Sequence, residues 1–167
     1  MRLQGKAHKF GKDVNTDYII AGKYKSRYAT VREQARHVME DLDPDFYEKI
    51  SPGDFIVAGS NFGCGSSRET APLVIRYANI SAVLAKSFAR IFFRNAINTG
   101  LPVVRCDTDM IDTGDALEVD LESGKVRNLT KGFEITGAPL PRVMITILND
   151  GGLVEYYAKH HGFDLGA

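Results

Sequence analysis

Cysteine and histidine, the side chains that most often bind transition metals, are scarce in this sequence. The 167 residues include four histidines and two cysteines, Cys64 and Cys106, which form no C-x-x-C motif. A self-contained zinc site usually needs about four ligands at close spacing, and an iron–sulfur cluster needs several thiolates. We therefore expect that this chain alone binds no metal. Cys106 is expected to be a small buried apolar residue, whereas Cys64 lies within a glycine-rich loop.

The sequence also lacks an excess of charge and any long apolar run. Twenty-one basic and twenty-one acidic residues give a formal net charge of zero. This balance argues against the broad basic surface that binds nucleic acid and against a polybasic membrane patch. No run is long enough to span a bilayer, and the first residues, MRLQGKAHKFGKD, show no signal peptide. We expect a cytoplasmic protein with neither nucleic-acid nor membrane partners.

Hydrophobic patterning predicts an α/β fold. Compact domains cluster at roughly 100–150 residues, and neither a repeat nor a linker is visible, so we predict one domain over residues 1–167. The predicted strands are 3–10, 55–58, 80–85, 101–104, 117–121, 125–129 and 133–136. The predicted helices are 31–40, 43–50, 69–78, 88–98, one from about 141 to 151, and 153–160. This order favours a mainly parallel or mixed sheet flanked by helices, with a C-terminal hairpin region, while 11–27 is predicted as a loop.

The segment FIVAGSNFGCGSSRET is a strand, a glycine-rich turn and a helix start. Gly65 allows the backbone to approach a ligand closely, and the free N–H groups and dipole of a helix start favour an anion. Arg68 adds a planar, bidentate donor for a carboxylate or phosphate. Ser66 and Ser67 add hydroxyl groups. The pattern therefore predicts an anion site with a serine oxygen beside it.

A simpler interpretation of the same residues is structural. The run from Ser66 to Glu69 fits the S-x-x-E capping box, in which the serine only satisfies a helix N-terminus.

The same loop does not match two nucleotide-binding patterns. No glycine of the loop leads into the Gly-Lys pair of a phosphate-binding loop, and the third glycine of the dinucleotide motif is replaced by Arg68.

The serine–arginine loop GSNFGCGSSRE, the later segment AKSFARIFFRNAINTGLP and the opening HKFGKDVNTDYIIAGKY, with its T-D-x-I signature, occur together in this chain. The sequence closely resembles small subunits of the isopropylmalate isomerase and homoaconitase family and the C-terminal swivelling domain of aconitases. The resemblance covers nearly the whole chain. It implies a swivelling β/β/α domain. It also implies a hydro-lyase that isomerises a hydroxy acid by dehydration and rehydration, as in leucine biosynthesis.

The resemblance also implies a partner. In this family a large subunit carries a [4Fe–4S] cluster through three cysteines, and the small subunit closes over it. Ser66 matches the family's catalytic base, which acts as an alkoxide, and Asp17 matches the acidic member of the T-D-x-I loop, which reaches the active site. Arg68 matches a clamp for a substrate carboxylate, and Ser67 and Gly65 are expected to bind at the same end of the substrate.

Other positions have weaker matches. Lys86 and Arg90 belong to the second family segment, where Arg90 either orients the loop or faces the large subunit. Arg27 lies in the stretch that reads the variable part of the substrate in this family, so it either binds a distal carboxylate or faces solvent. The substrate, a small dicarboxylic or tricarboxylic acid, is expected to be 3-isopropylmalate, with homoaconitate, citrate-like acids and dimethylmalate or other alkylmalates as alternatives.

A function of another class also fits the residues. A non-catalytic, anion-binding regulatory module would use the same helix-start pocket. Such a module predicts binding of phosphate or carboxylate without a large partner. A requirement for that partner separates the two interpretations.

Overall fold

The computed structural model describes residues 1–163, so the last four residues of the predicted domain, 164–167, lie outside the described part. Seven strands form one mixed sheet in the order β4-β3-β2-β1-β5-β6-β7. They are β1 (Arg2–Lys9), β2 (Phe55–Ala58), β3 (Ala82–Ala85), β4 (Val103–Arg105), β5 (Ala116–Asp120), β6 (Lys125–Asn128) and β7 (Phe133–Thr136). The predicted mixed α/β sheet is confirmed.

Strand β1 divides the sheet into a parallel half and an antiparallel half. It pairs in parallel with β2, with Ala7 opposite Phe55, and antiparallel with β5, with Leu3 opposite Val119. Strands β2 and β3 are buried at every position, as expected for parallel strands covered on both faces. Strands β5 and β6 alternate in burial and form the predicted hairpin.

Eight α-helices and one 3-10 helix flank this sheet within residues 1–163. The α-helices are α1 (Thr16–Ile19), α2 (Tyr24–Arg27), α3 (Val31–Gln34), α4 (Phe46–Lys49), α5 (Thr70–Tyr77), α6 (Arg90–Asn98), α7 (Arg142–Asp150) and α8 (Leu153–His160), and the 3-10 helix is Ala35–His37. Helix α5 connects β2 to β3 and α6 connects β3 to β4, so the parallel half is built from βαβ units.

Three predictions of local structure were wrong in detail. The predicted helix 31–40 is α3 followed by the 3-10 helix, because a capping box at Thr30 and Glu33 starts it and the backbone leaves helical geometry at Val38. The predicted helix 43–50 shortens to α4, whose N-cap residue is Asp45. The predicted loop 11–27 contains α1 and α2, each a single turn and too short to show helical periodicity.

The order of the strands determines where the predicted site lies. Strands β1, β2 and β3 are adjacent and parallel, so the segments that follow them leave the same edge of the sheet. In open α/β sheets, ligands bind outside the carboxyl ends of such strands. The T-D-x-I loop follows β1, the serine–arginine loop follows β2, and the Lys86–Arg90 segment follows β3.

Candidate active site

Backbone hydrogen bonds join the three loops into one structure. The Gly63 N–H donates to the Val14 carbonyl at 2.8 Å, and the Thr16 N–H donates to the Cys64 carbonyl at 2.8 Å. On the other side, the Phe62 N–H donates to the Ser87 carbonyl at 3.0 Å. The loop after β2 is therefore held between its two neighbours, and its side chains are positioned by backbone pairing.

Two glycines make this close approach possible. Gly63 and Gly65 have φ angles of +81° and +92°, in the left-handed region that other residues rarely adopt. A Cβ on Gly63 would lie 2.2 Å from the Phe92 ring, and a Cβ on Gly65 would lie 2.5 Å from Asn15 Oδ1. Gly65 thus lets the serine loop pack directly against the start of α1.

Ser66 does not cap helix α5. The helix begins at Thr70, and its N-cap residue, Glu69, makes no side-chain capping bond. Pro72 explains the late start, because a helix beginning just after Ser66 would place Pro72 in its interior, where a proline costs about 3 kcal/mol. With Thr70 as the first helical residue, Pro72 lies in the first turn, where its missing N–H needs no partner.

The late helix start leaves residues 66–69 as a loop with free hydroxyl groups. The carbonyl of Ser66 accepts a hydrogen bond from Thr16 Oγ1 at 2.8 Å, which fixes the backbone. The side chains of Ser66 and Ser67 are exposed, and neither makes a hydrogen bond with another residue in 1–163. The capping box expected from the simpler interpretation is not formed.

Arg68 connects the serine loop to the T-D-x-I loop. Its Nη2 lies 2.5 Å from Asp17 Oδ1, and its Nη1 donates to the Ile20 carbonyl at 3.0 Å. Asp17 is itself placed by Asn15, whose side chain caps α1 by accepting the Asp17 N–H at 2.8 Å. These contacts occupy two of the five N–H groups of the guanidinium, so the remaining donors are available to a carboxylate.

The serine–arginine loop forms a wall shared by two cavities. The first, of about 510 Å³, lies between this loop and α6. It is lined by Thr16, Gly63, Gly65, Ser66, Ser67, Arg68, Ala89, Arg90, Ile91, Phe92, Arg94 and Asn95. The second, of about 540 Å³, lies on the side of α2 and includes Ile20, Lys25, Gln34 and Thr70 with the same serines and arginine. Three guanidinium groups in the first cavity favour a bound anion.

The predicted site residues are therefore only partly brought together. Ser66, Ser67, Gly65 and Arg68 line the first cavity with Arg90, and Asp17 reaches it through the Arg68 ion pair. The remaining two predicted positions, Arg27 and Lys86, lie elsewhere, as described next.

Arg27 is exposed and lies outside the lining of both cavities, whereas Lys25 of the same helix lines the second. Lys86 pairs with Asp109 at 2.6 Å and with Asp107 at 3.9 Å, and lies outside both cavities. The hydrogen bond to Asp109 raises the pKa of Lys86. The positive charge of Lys86 is therefore balanced by the two aspartates that follow β4.

Several residues of the site were not predicted from the sequence. Thr16 and Asn15 hold the serine loop through hydrogen bonding and packing, and Arg94 and Asn95 line the first cavity from α6. Asn15 carried a usable signal, because asparagine is a favoured N-cap residue. Arg94 is one helical turn after Arg90, so both share a face of α6.

A hydrogen-bonded cluster supports the turn that carries Lys25. Tyr24 and His37 each hydrogen-bond to the Glu40 carboxylate, and the Tyr28 hydroxyl lies 2.8 Å from His37 Nε2. The rings of Tyr24 and His37 stack at 3.9 Å. The Glu40 hydrogen bond and burial raise the pKa of Tyr24 to about 12. The cluster fixes α2 against the 3-10 helix below it.

This cluster predicts a loss of stability in acid. Burial alone would raise the pKa of Glu40, but the hydrogen bonds from Tyr24 and His37 hold it below its ordinary value of 4.5. Unfolded chains therefore bind this proton more readily than folded ones, so the contribution of Glu40 is present above pH 4.5 and lost as pH falls through the folded pKa. Urea unfolding at several pH values should show a shallower acid slope in Glu40→Gln than in wild type.

The matched control is Glu48→Gln, because Glu48 is exposed and has no ion pair or hydrogen-bonded side chain among residues 1–163. The control should keep the wild-type slope. If Glu40→Gln and Glu48→Gln give the same slope, the cluster does not stabilise the turn.

The two cysteines lie in different environments. Cys64 is half-buried in the serine loop, whereas Cys106 is buried after β4, where burial raises its thiol pKa to about 12. Within residues 1–163 no group of three or more His, Cys, Asp or Glu side chains is placed to hold a metal ion. In the same part of the chain, no helix is both long and apolar enough to cross a membrane.

Comparison with known proteins found a matching family and several similar proteins. The Aconitase C-terminal domain family matches residues 6–108. The 3-isopropylmalate dehydratase small subunit 2 of Archaeoglobus fulgidus is 61% identical over 96% of this chain and 97% of its own length. The 3-isopropylmalate dehydratase small subunit of Methanosarcina acetivorans is 52% identical over 94% and 97%.

A solved structure agrees with the fold. The crystal structure of 3-isopropylmalate dehydratase (leuD) from Methanocaldococcus jannaschii matches with a TM-score of 0.91 and 48% identity. The match covers 96% of each chain. Both the parallel half that carries the site and the hairpin region therefore lie within the part shared with this relative.

Proposed function

The chain belongs to the Aconitase C-terminal domain family, among the small subunits of 3-isopropylmalate dehydratase, and from this premise we propose how its residues serve an aconitase-type hydro-lyase. Residues 1–167 act as one domain that closes over the active site of a large subunit. The substrate is 3-isopropylmalate, the acid named in the relatives, and the compartment is the cytoplasm. We assign the [4Fe–4S] cluster to the large subunit, because this chain has two cysteines, fewer than the three that hold the cluster in the family.

The observation that carries the proposal is the free Ser66 hydroxyl beside a positioned Arg68. Ser66 Oγ is the base that removes a proton from the carbon alpha to a substrate carboxylate. An ordinary serine is too weak an acid to form an alkoxide, but Arg68, Arg90 and Arg94 around the same cavity favour a negative charge there. Removal of this proton and loss of hydroxide from the adjacent carbon give an unsaturated diacid. Water then adds in the opposite sense, with its hydroxyl on the carbon that lost the proton and its hydrogen on the neighbouring carbon, which gives the isomer.

Arg68 and Asp17 act as a unit in this proposal. The free N–H groups of Arg68 bind a substrate carboxylate, and the Ser67 hydroxyl and the Gly65 backbone bind at the same end of the substrate. Asp17 holds the guanidinium in position through the contact at 2.5 Å. The second contact, to the Ile20 carbonyl, restrains rotation of the Arg68 guanidinium group. Such fixed orientation lowers the entropic cost of reaching the reactive geometry.

Reconstitution with a large subunit tests the proposed function. We expect the purified chain to remain colourless and inactive after anaerobic treatment with iron and sulfide. Addition of a cluster-loaded large subunit should give 3-isopropylmalate isomerisation. A stoichiometric cluster on this chain alone would overturn the two-subunit proposal. Tight phosphate or carboxylate binding by the chain, with no activity in the pair, would favour the regulatory-module alternative.

The role proposed for Arg27 is to widen substrate selection to acids with a distal carboxylate, beside 3-isopropylmalate as the main substrate. A guanidinium near the variable end of the substrate favours acids with a distal carboxylate, because an unpaired charge beside an alkyl group is costly. Arg27→Leu should shift the kcat/KM ratio toward alkylmalates, relative to homocitrate-type acids, by about tenfold, or about 1.4 kcal/mol. Competition assays with the same large subunit measure the ratio.

Lys25→Leu is the matched comparison, because Lys25 lines the second cavity and Arg27 does not. A shift with both variants assigns the whole turn to substrate selection. A ratio that moves only with Lys25→Leu places Arg27 at the solvent-facing surface and contradicts its proposed role.

A further inference from the structure

A third cavity lies beside the candidate active site. It has a volume of about 450 Å³ and is formed by α6, the end of β4 and α7. We call it the arginine-rimmed groove. Its apolar side chains are Phe88, Phe93, Ile97, Val143, Met144 and Ile147. Its charged side chains are three arginines, Arg90, Arg94 and Arg105.

No residue within 1–163 neutralises the arginines of this groove. All three are exposed, and their side chains make no ion pair or hydrogen bond with any residue in 1–163. Lys86, four positions before Arg90, shows the opposite behaviour, because it pairs with two aspartates. The groove therefore combines an apolar surface with positive charge that has no partner among the described residues.

The groove is continuous with the candidate active site. Arg90 and Arg94 line both cavities from one face of α6. Any protein that completes the active site must cover the first cavity, and its surface then extends over these two arginines. Ile91, between them in sequence, is 52% exposed, which adds apolar surface at the same border.

We propose that the arginine-rimmed groove is the docking surface for a segment of the large subunit that carries both carboxylate and apolar side chains. The inference rests on the proposed function, because it assumes that a large subunit covers the first cavity. Carboxylates of that segment pair with Arg105, where arginine forms bidentate contacts, while Arg90 and Arg94 keep their charge for the first cavity that they also line. Its apolar side chains bury the groove floor. Charge complementarity of this kind speeds association and fixes the orientation of the two subunits.

Charge reversal in the groove tests the proposal. Arg105→Glu is the chosen variant, because Arg105 lines the groove and does not line the first cavity. Titration calorimetry with the cluster-loaded large subunit should give a Kd raised at least about tenfold. The kcat at saturating large subunit should stay near the wild-type value. The affinity of wild type should fall as salt rises, and Arg105→Glu should reduce this dependence.

Arg36→Glu is the matched control, with the same change in net charge at an exposed arginine that lines none of the three cavities described above. It should bind like wild type. Equal Kd values for Arg105→Glu and wild type, with circular dichroism showing folded protein, would overturn the docking surface. Self-association of the isolated chain that Arg105→Glu abolishes would also overturn it, by assigning the groove to a second copy.

The two proposals fail in different ways. If wild-type chain neither binds the large subunit nor forms an active enzyme with it, the proposed function fails. If wild type binds and turns over but Arg105→Glu binds equally well, only the docking surface fails. Met144→Ser supplies an independent check of the apolar floor, and it should weaken binding without changing the salt dependence.

Discussion

Ser66→Ala is expected to remove most turnover while leaving the folded chain and its association with the large subunit intact. Proton transfer by a positioned side chain contributes typically about 10²–10⁴-fold to rate, so kcat should fall about a thousandfold. The side chain is exposed and makes no hydrogen bond within residues 1–163. Its removal should therefore change the melting temperature little.

The structural interpretation makes the opposite prediction for this variant. A capping serine replaced by alanine costs about 1 kcal/mol of stability and would leave activity largely unchanged. Rate and melting temperature measured on the same sample separate the two. Ser67→Ala is the matched control, because Ser67 is its exposed neighbour and is assigned only to substrate binding. Retention of substantial activity by Ser66→Ala would refute the base assignment.

Arg68→Gln should give the second largest loss. It removes the carboxylate clamp and the contacts to Asp17 and the Ile20 carbonyl. We expect kcat/KM to fall about a hundredfold, which corresponds to about 2.7 kcal/mol. Steady-state kinetics of the assembled enzyme should place the loss in both kcat and KM, because the clamp binds the substrate and also orients it.

Two further variants separate the binding of substrate by Arg68 from its structural contact with Asp17. Arg68→Lys keeps the charge but loses the planar fork, so it should recover only part of the activity. Asp17→Asn keeps a hydrogen-bonding partner for Arg68 and should cost less than Arg68→Gln. Full activity in Arg68→Lys would show that charge alone suffices, contrary to the bidentate role.

Much of the fold follows from local sequence pattern. The apolar run at 55–58 and the short run at 133–136 predict strands with the observed bounds. The hairpin of β5 and β6 follows from alternating residues around a turn. These segments are predictable because burial on one or both faces of a sheet dictates residue type along the strand.

Other features depended on contacts that no local pattern contains. Single-turn helices such as α1 and α2 give no periodicity, and α1 exists because Asn15 caps it and the serine loop pairs with it. The S-x-x-E pattern from Ser66 to Glu69 does not form a cap, because Pro72 delays the start of the helix to Thr70.

The site shows the same division. The glycine–serine–arginine spacing predicts the loop that carries Ser66 and Arg68, and the family resemblance connects it to Asp17. The contribution of α6 is tertiary, because Arg94 enters the first cavity only when α6 packs beside the loop. The position of Lys25 in the second cavity is likewise set by the cluster beneath α2 rather than by neighbours in sequence.

Exchange of substrate hydrogen with solvent tests the central claim most directly, because deuterium can replace the hydrogen on the reacting carbon only after the base has removed that proton. The assembled enzyme is incubated with 3-isopropylmalate in deuterium oxide, and deuterium at the carbon that carries the isopropyl group is measured by NMR. Wild type is predicted to incorporate deuterium, and Ser66→Ala, which binds the same substrate and the same large subunit, is predicted to incorporate almost none. Incorporation by Ser66→Ala at the wild-type rate would contradict the assignment of the base to this chain.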